Sequence, residues 1–314
     1  MNKKGIFKIL GIILALVIVI FMLKSFISNW NDIKPYLANM NIWLFLISII
    51  IYALAFIFVG YNWATVLWDM DSQNNKIEYL NIHMVSALAR YIPGGIWNVV
   101  GKAVMCSEIG VDKSKTTLSM ILEYVYQIIS SSLFFICFIP ILFRKRLNYT
   151  YISIFIITIS ILLLFMPWII SKSSKILSKL FKEKCSEYNF KKGYVYKVLL
   201  RYVLAWCVTG VGLIVLVKAF YSIEFMQSIF LFLSYPISWV VGFLSPSPNG
   251  MGIREGVLGY FLGILEGGYS VELILLITLT TRIWTILGEV VAFIGFKSFY
   301  LISKKKRGIN EGYI

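Results

Sequence analysis

Two helix-breaking stretches set inside apolar sequence decide what this chain can fold into. The longer, residues 245–256 (SPSPNGMGIREG), lies between two segments apolar enough for hydrocarbon, yet it holds two prolines, three glycines and the adjacent Arg254 and Glu255. No continuous helix runs through it, because proline removes a backbone donor and clashes with the preceding turn, while glycine readily takes positive φ. Broken backbone at membrane depth survives only where it is buried in protein or lines a wet cavity. A second stretch, residues 90–97 (RYIPGGIW) followed by Lys102, echoes the first in the other half of the chain.

Composition supplies the membrane. Hydrophobic residues make up 59% of the 314 and charged residues 14%, against about 25% charged in soluble domains. Several runs exceed the roughly 20 apolar residues needed to cross a bilayer core. The net charge of +15 falls in short loops and at the termini beside apolar runs. It therefore sets orientation and attracts anionic lipid, and it excludes a nucleic-acid surface, which would carry it on a folded polar domain. Cys106, Cys137, Cys185 and Cys207 lack CxxC spacing and have only His83 for company, so neither a metal site nor a disulfide framework is expected, and no cofactor loop is visible. His83 reads as structural.

Hydropathy and length predict full spans at residues 6–23, 42–68, 118–143, 149–170, 198–220 and 273–296. Residues 30–41 read as a short outer loop. Residues 80–89 are too short to cross and stop at the first break, which fits either a half-helix entering the membrane or a cytoplasmic helical hairpin with a Pro-Gly turn. The 171–197 loop is basic, with apolar residues at helical spacing, as in an amphipathic helix on the cytoplasmic leaflet. The 304–314 tail is basic too, and with the N-terminal lysines it places both termini in the cytoplasm of a bacterial cell membrane.

The expected fold is an all-α polytopic membrane protein of one domain. It has six full spans plus two re-entrant broken hairpins, or eight spans if both arms of the second hairpin cross. The first hairpin enters from the cytoplasm and the second from outside. The half-repeats, 1–146 and 147–303, then have opposite orientation, an inverted-topology repeat whose breaks meet near the midplane. The basic residues 144–146 fall outside in this map, against the usual bias.

The two breaks also resemble paired signatures of the lysylphosphatidylglycerol synthase transmembrane-region family, over nearly the whole chain. Asn249 stands where the family usually has Gly, a mild change because Asn tolerates left-handed geometry. Tyr124 follows Glu123 where the family usually has Arg. The resemblance implies a flippase-like domain that handles phosphatidylglycerol or lysyl-phosphatidylglycerol and contributes to cationic-peptide resistance. Two-part members add a soluble acyltransferase-type domain, for which this chain, ending at Ile314, leaves no room. No tRNA-dependent transfer is expected from it alone, although a separate synthase or glycosyltransferase could partner it.

Intramembrane ionisable residues are costly and mark sites by default. The candidates for headgroup binding or translocation are Arg90, Pro93, Gly94, Gly95, Lys102, Glu123, Pro248, Gly250, Gly252, Arg254, Glu255, Arg282 and Glu289. Arg254, with Arg90 and Lys102, would meet a lipid phosphate, helped by half-helix N-termini near Gly95 and Gly252. Glu255, Glu123 and Glu289 would offset a cationic group or balance the arginines. Against this stands an ion-pair lock of Arg254 with Glu255 and Arg282 with Glu289. Two other classes remain: a membrane transferase on a lipid-linked sugar, for which acidic or His residues in a polar loop are missing, and a partner that recruits a synthase.

Overall fold

The protein is described here from a computed structural model over residues 30–91, 97–142, 192–245, 247–264 and 269–306, with isolated positions elsewhere. The predicted spans at 6–23 and 149–170, the amphipathic loop up to residue 191, and Pro93, Gly94 and Gly95 lie outside the described residues. So does the boundary between the half-repeats.

The described residues form an all-α polytopic membrane protein. Its helices are α1 (Trp30–Ala38), α2 (Ile42–Met70), α3 (Lys76–Leu88), α4 (Trp97–Glu108), α5 (Lys113–Leu142), α6 (Lys192–Lys218), α7 (Phe225–Leu244), α8 (Ile253–Gly263) and α9 (Val271–Lys306). One expectation fails at the start, because the outer loop over 30–41 is largely the helix α1. Elsewhere the spans outrun their apolar cores. α5 begins at Lys113 and α9 ends at Lys306, since backbone hydrogen bonds continue into the polar flanks where water can solvate the charges. Asn41 starts α2 by accepting from the amides of Trp43 and Leu44, and Asn75 starts α3 by accepting from Ile77.

Five described helices are long and apolar enough to cross a membrane: α2, α5, α6, α7 and α9. Away from their ends their exposed residues are mostly apolar, as a lipid-facing surface requires. Leu46, Ile50 and Leu54 recur every fourth residue on α2, and Leu200, Leu204 and Val208 do so on α6. The 13 residues of α3 reach only about 20 Å, short of the roughly 30 Å core. α4 and α8 are shorter still. α7, at 20 residues, is long enough to cross although it is one arm of a hairpin.

The halves repeat one packing plan. α2 packs on α3, α5 and α9; α6, its counterpart, packs on α7, α9 and α5. The arms α3 and α4 pack together and α4 packs on α5, just as α7 packs on α8 and α8 on α9. α5 of the first half lies against α7 of the second, and α9 lies against α3. The equivalent helices α2 and α6 run antiparallel. The Asn41 amide at the start of α2 donates to the Ala219 carbonyl beyond the end of α6, at 2.8 Å. At the other end, Val66 and Met70 pack with Val195, Val198 and Leu199. Equivalent helices in opposite directions are the signature of an inverted repeat.

The hairpins accordingly enter from opposite sides. Both feet of the first lie beside the end of α2: the Tyr79 hydroxyl donates to the Asp71 carbonyl at 2.8 Å, and Asn74 donates to the Ile109 carbonyl at 3.1 Å. The second has its feet beside the end of α6, where Tyr221 and Tyr269 meet edge to face.

Candidate functional site

The second break is built around glycine and Asn249. Asn249 (φ 51°), Gly250 (φ 66°) and Gly252 (φ 78°) all take positive φ, so the tolerance expected of Asn249 is used. A Cβ on Gly250 would lie 2.9 Å from the Gly242 backbone, and one on Gly242 would lie 2.2 Å from Cγ of Arg254. These glycines let the returning chain press onto α7 and leave a slot for the Arg254 side chain. Gly250→Ala is expected to cost a few kcal/mol, combining left-handed strain of about 1–2 kcal/mol with a backbone clash that cannot rotate away. A lower unfolding midpoint in detergent, with a smaller loss for Asn249→Gly, checks this.

A cavity of about 470 Å³ lies between the flanks of the first break and the second break. It is lined from the first half by Arg90, Asn98, Lys102 and Glu123, and from the second by Ser245, Ser247, Asn249, Gly250 and Arg254. Candidates separated by more than 150 positions in sequence are thereby brought to one space.

Their pairing differs from the expected lock. Lys102 donates to Glu123 at 2.5 Å, and both side chains are about 95% buried. Arg90 meets Glu289 at 3.1 Å across the two halves, with the Tyr52 hydroxyl 3.4 Å from the same oxygen. Arg282 pairs with Glu255 on α8 at 3.7 Å, not with Glu289, which Arg90 holds. Glu123, followed by Tyr124 instead of Arg, takes its cation from α4, in Lys102.

Two of these pairs are equivalent. Lys102–Glu123 ties α4 to α5, and Glu255–Arg282 ties α8 to α9, with the signs exchanged. Each fastens the returning arm of a hairpin to the span that follows it.

Arg254 stands apart. Among the described residues it has no carboxylate within 4 Å, and its buried Nε has no hydrogen-bond partner. Its guanidinium lies over the Trp239 ring at 5.4 Å. The expected helix N-terminal anion site at Gly252 is already filled, since the Gly252 amide donates to Glu255 at 2.6 Å. The four cations Arg90, Lys102, Arg254 and Arg282 thus face three carboxylates, Glu123, Glu255 and Glu289. The cluster has one positive charge left over, on Arg254.

Several lining residues were not among the site candidates read from the sequence, where His83 was read as structural. His83 is 2% exposed, lies 3.6 Å from Glu123, and has both ring nitrogens unpartnered. Trp239 and Phe243 stack one turn apart on α7, Tyr124 stacks on Phe243, and Trp206 meets Trp239 edge to face. Asn98 donates to the Tyr124 hydroxyl at 3.1 Å. The spacing of Trp239 and Phe243 by four was a signal for one helix face, but which face meets the cavity depends on partners far away in sequence.

The fold and this site define an integral membrane protein with a charged cavity held between two oppositely inserted broken hairpins. The family model described as the lysylphosphatidylglycerol synthase TM region matches residues 8–292. The chain belongs to that family, whose membrane role is lipid-related. Comparison with curated proteins and with solved structures gave no match.

Proposed function

We propose that this protein binds the headgroup of a membrane phospholipid in the central cavity and carries it across the bacterial cytoplasmic membrane, both termini being cytoplasmic. The carrying observation is Arg254, a half-buried side chain whose buried Nε has no hydrogen-bond partner and which meets no carboxylate among the described residues, in the cavity bounded by the second break and the flanks of the first. A cation held in apolar surroundings is costly unless paired, and a lipid phosphate would complete it with charge-assisted hydrogen bonds. The acyl chains stay in lipid, so only the headgroup needs polar surroundings. The opposite entry of the hairpins supports access from either leaflet, as in other inverted repeats. A separately encoded synthase or glycosyltransferase would then act on, or supply, the lipid that this domain moves.

The test uses proteoliposomes with fluorescent phosphatidylglycerol, or its lysyl ester, on the inner leaflet and a membrane-impermeant quencher outside. Protein-dependent loss of protection for either lipid, well above that of empty vesicles, is expected. Protection unchanged for both would overturn translocation.

A further inference from the structure

The phosphate site leaves open what the rest of the cavity accepts, and three observations bear on that. The first is charge. The cations Arg90, Lys102 and Arg254 line the cavity, with Glu123 as the carboxylate among the described lining residues. Glu123 is held by Lys102 at 2.5 Å. A ligand amine could reach it only by displacing Lys102 and leaving a buried ammonium unpaired, a costly exchange. Protonation of His83 would only add positive charge.

The second observation concerns aromatic rings, whose faces otherwise attract ligand cations. Two of the lining rings already carry the protein's own cations, Arg90 over Phe56 at 5.3 Å and Arg254 over Trp239 at 5.4 Å, and Lys102, also of the lining, lies over Trp63 at 4.3 Å. The other lining aromatics, which include Tyr52, Tyr202 and Tyr235, hold the edge-on and stacked wall of Trp206, Phe243 and Tyr124, apolar surface suited to the C–H face of a neutral group.

The third is hydrogen bonding. Gln127 lines the same space, and its side-chain amide makes no hydrogen bond among the described residues. It is joined by Asn98, whose amide nitrogen is the atom engaged by Tyr124, leaving its carbonyl oxygen. These are uncharged partners for hydroxyl groups. The volume, about 470 Å³, is within the range of small-molecule sites of roughly 300–1,000 Å³, so a group beyond the phosphate fits.

We infer that the cavity selects lipid headgroups made of a phosphate and an uncharged, hydroxyl-bearing group lying over the aromatic wall, and rejects headgroups that carry an amine. This rests on the proposed phosphate contact at Arg254 and narrows it: phosphatidylglycerol chemistry is accepted and its lysyl ester, with two ammonium groups, is not.

The test reads binding rather than transport, so that it can fail while translocation stands. Short-chain phosphatidic acid, phosphatidylglycerol and lysyl-phosphatidylglycerol are titrated against the full-length protein in detergent, followed by quenching of tryptophan fluorescence, with Trp206 and Trp239 in the wall. Phosphatidylglycerol is expected to bind at least about tenfold more tightly than its lysyl ester. Phe243→Ala should weaken phosphatidylglycerol more than phosphatidic acid, which has no group to lay on the wall. Gln127→Glu, which adds a free carboxylate, should narrow the gap to the lysyl ester. Equal or tighter binding of the lysyl ester to the unaltered protein would overturn the inference, as would the absence of binding by all three lipids. The first outcome leaves translocation standing.

Discussion

Arg254→Ala is expected to slow headgroup transfer by about ten- to a hundredfold while leaving a folded protein. The size follows from hydrogen bonds to charged groups, worth about 1.5–3 kcal/mol, with each 1.4 kcal/mol a factor of ten. The sparing of stability follows from the pairing around it. Arg254 has no carboxylate partner among the described residues, so its removal leaves no buried anion behind. What the fold loses is the contact with Trp239, about 0.5–2 kcal/mol, and the filling of the slot beside Gly242, offset in part by removal of a cation whose buried Nε is unpartnered. Arg254→Lys should keep part of the activity, since an ammonium supplies charge without the planar fork. Transfer rates in proteoliposomes and unfolding midpoints in detergent measure the two effects separately. Collapse of the folded protein with Arg254→Ala would instead make this residue a structural brace.

Lys102→Ala is expected to do the reverse, destabilising the fold by about 3–5 kcal/mol, as breaking a buried ion pair from one side does. Glu123 would be left 5% exposed with His83 beside it at 3.6 Å. Glu123→Ala should be equally damaging for the same reason. The exchanged pair, Lys102→Glu with Glu123→Lys, should recover much of the loss, and the protein holds a precedent: Glu255 on α8 and Arg282 on α9 join equivalent helices with the charges in that order. Unfolding midpoints of the singles and the double form a cycle. Singles as stable as the parent would show that the pair does not fasten the hairpin.

Much of the architecture was legible in the sequence because the bilayer is a severe filter. Apolar runs of sufficient length must span, and Pro-Gly interruptions such as 245–256 must be shielded inside the protein, so α2, α5, α6, α9 and the second break could be placed without coordinates. The left-handed turn at Asn249 and Gly250 is a local property of those residues. α1 was missed because a nine-residue helix holding Pro35 has no composition that separates it from a loop.

The candidate site was legible as a set of residues but not as a set of partners. Intramembrane charge alone marked Arg90, Lys102, Glu123, Arg254, Glu255, Arg282 and Glu289. Pairing along the chain suggested Arg254 with Glu255 and Arg282 with Glu289. Tertiary packing instead joins Arg282 to Glu255 and Arg90 to Glu289, some 199 positions apart. Ion pairing depends on which helices touch, and that is set by the antiparallel docking of two half-repeats, a long-range property that no local pattern encodes. Sequence by itself therefore determined a lipid-embedded helical protein with two breaks and a surplus of buried charge. The tertiary structure alone decided that Arg254 is the cation without a carboxylate among the described residues, because only the packed halves show which carboxylates are already taken.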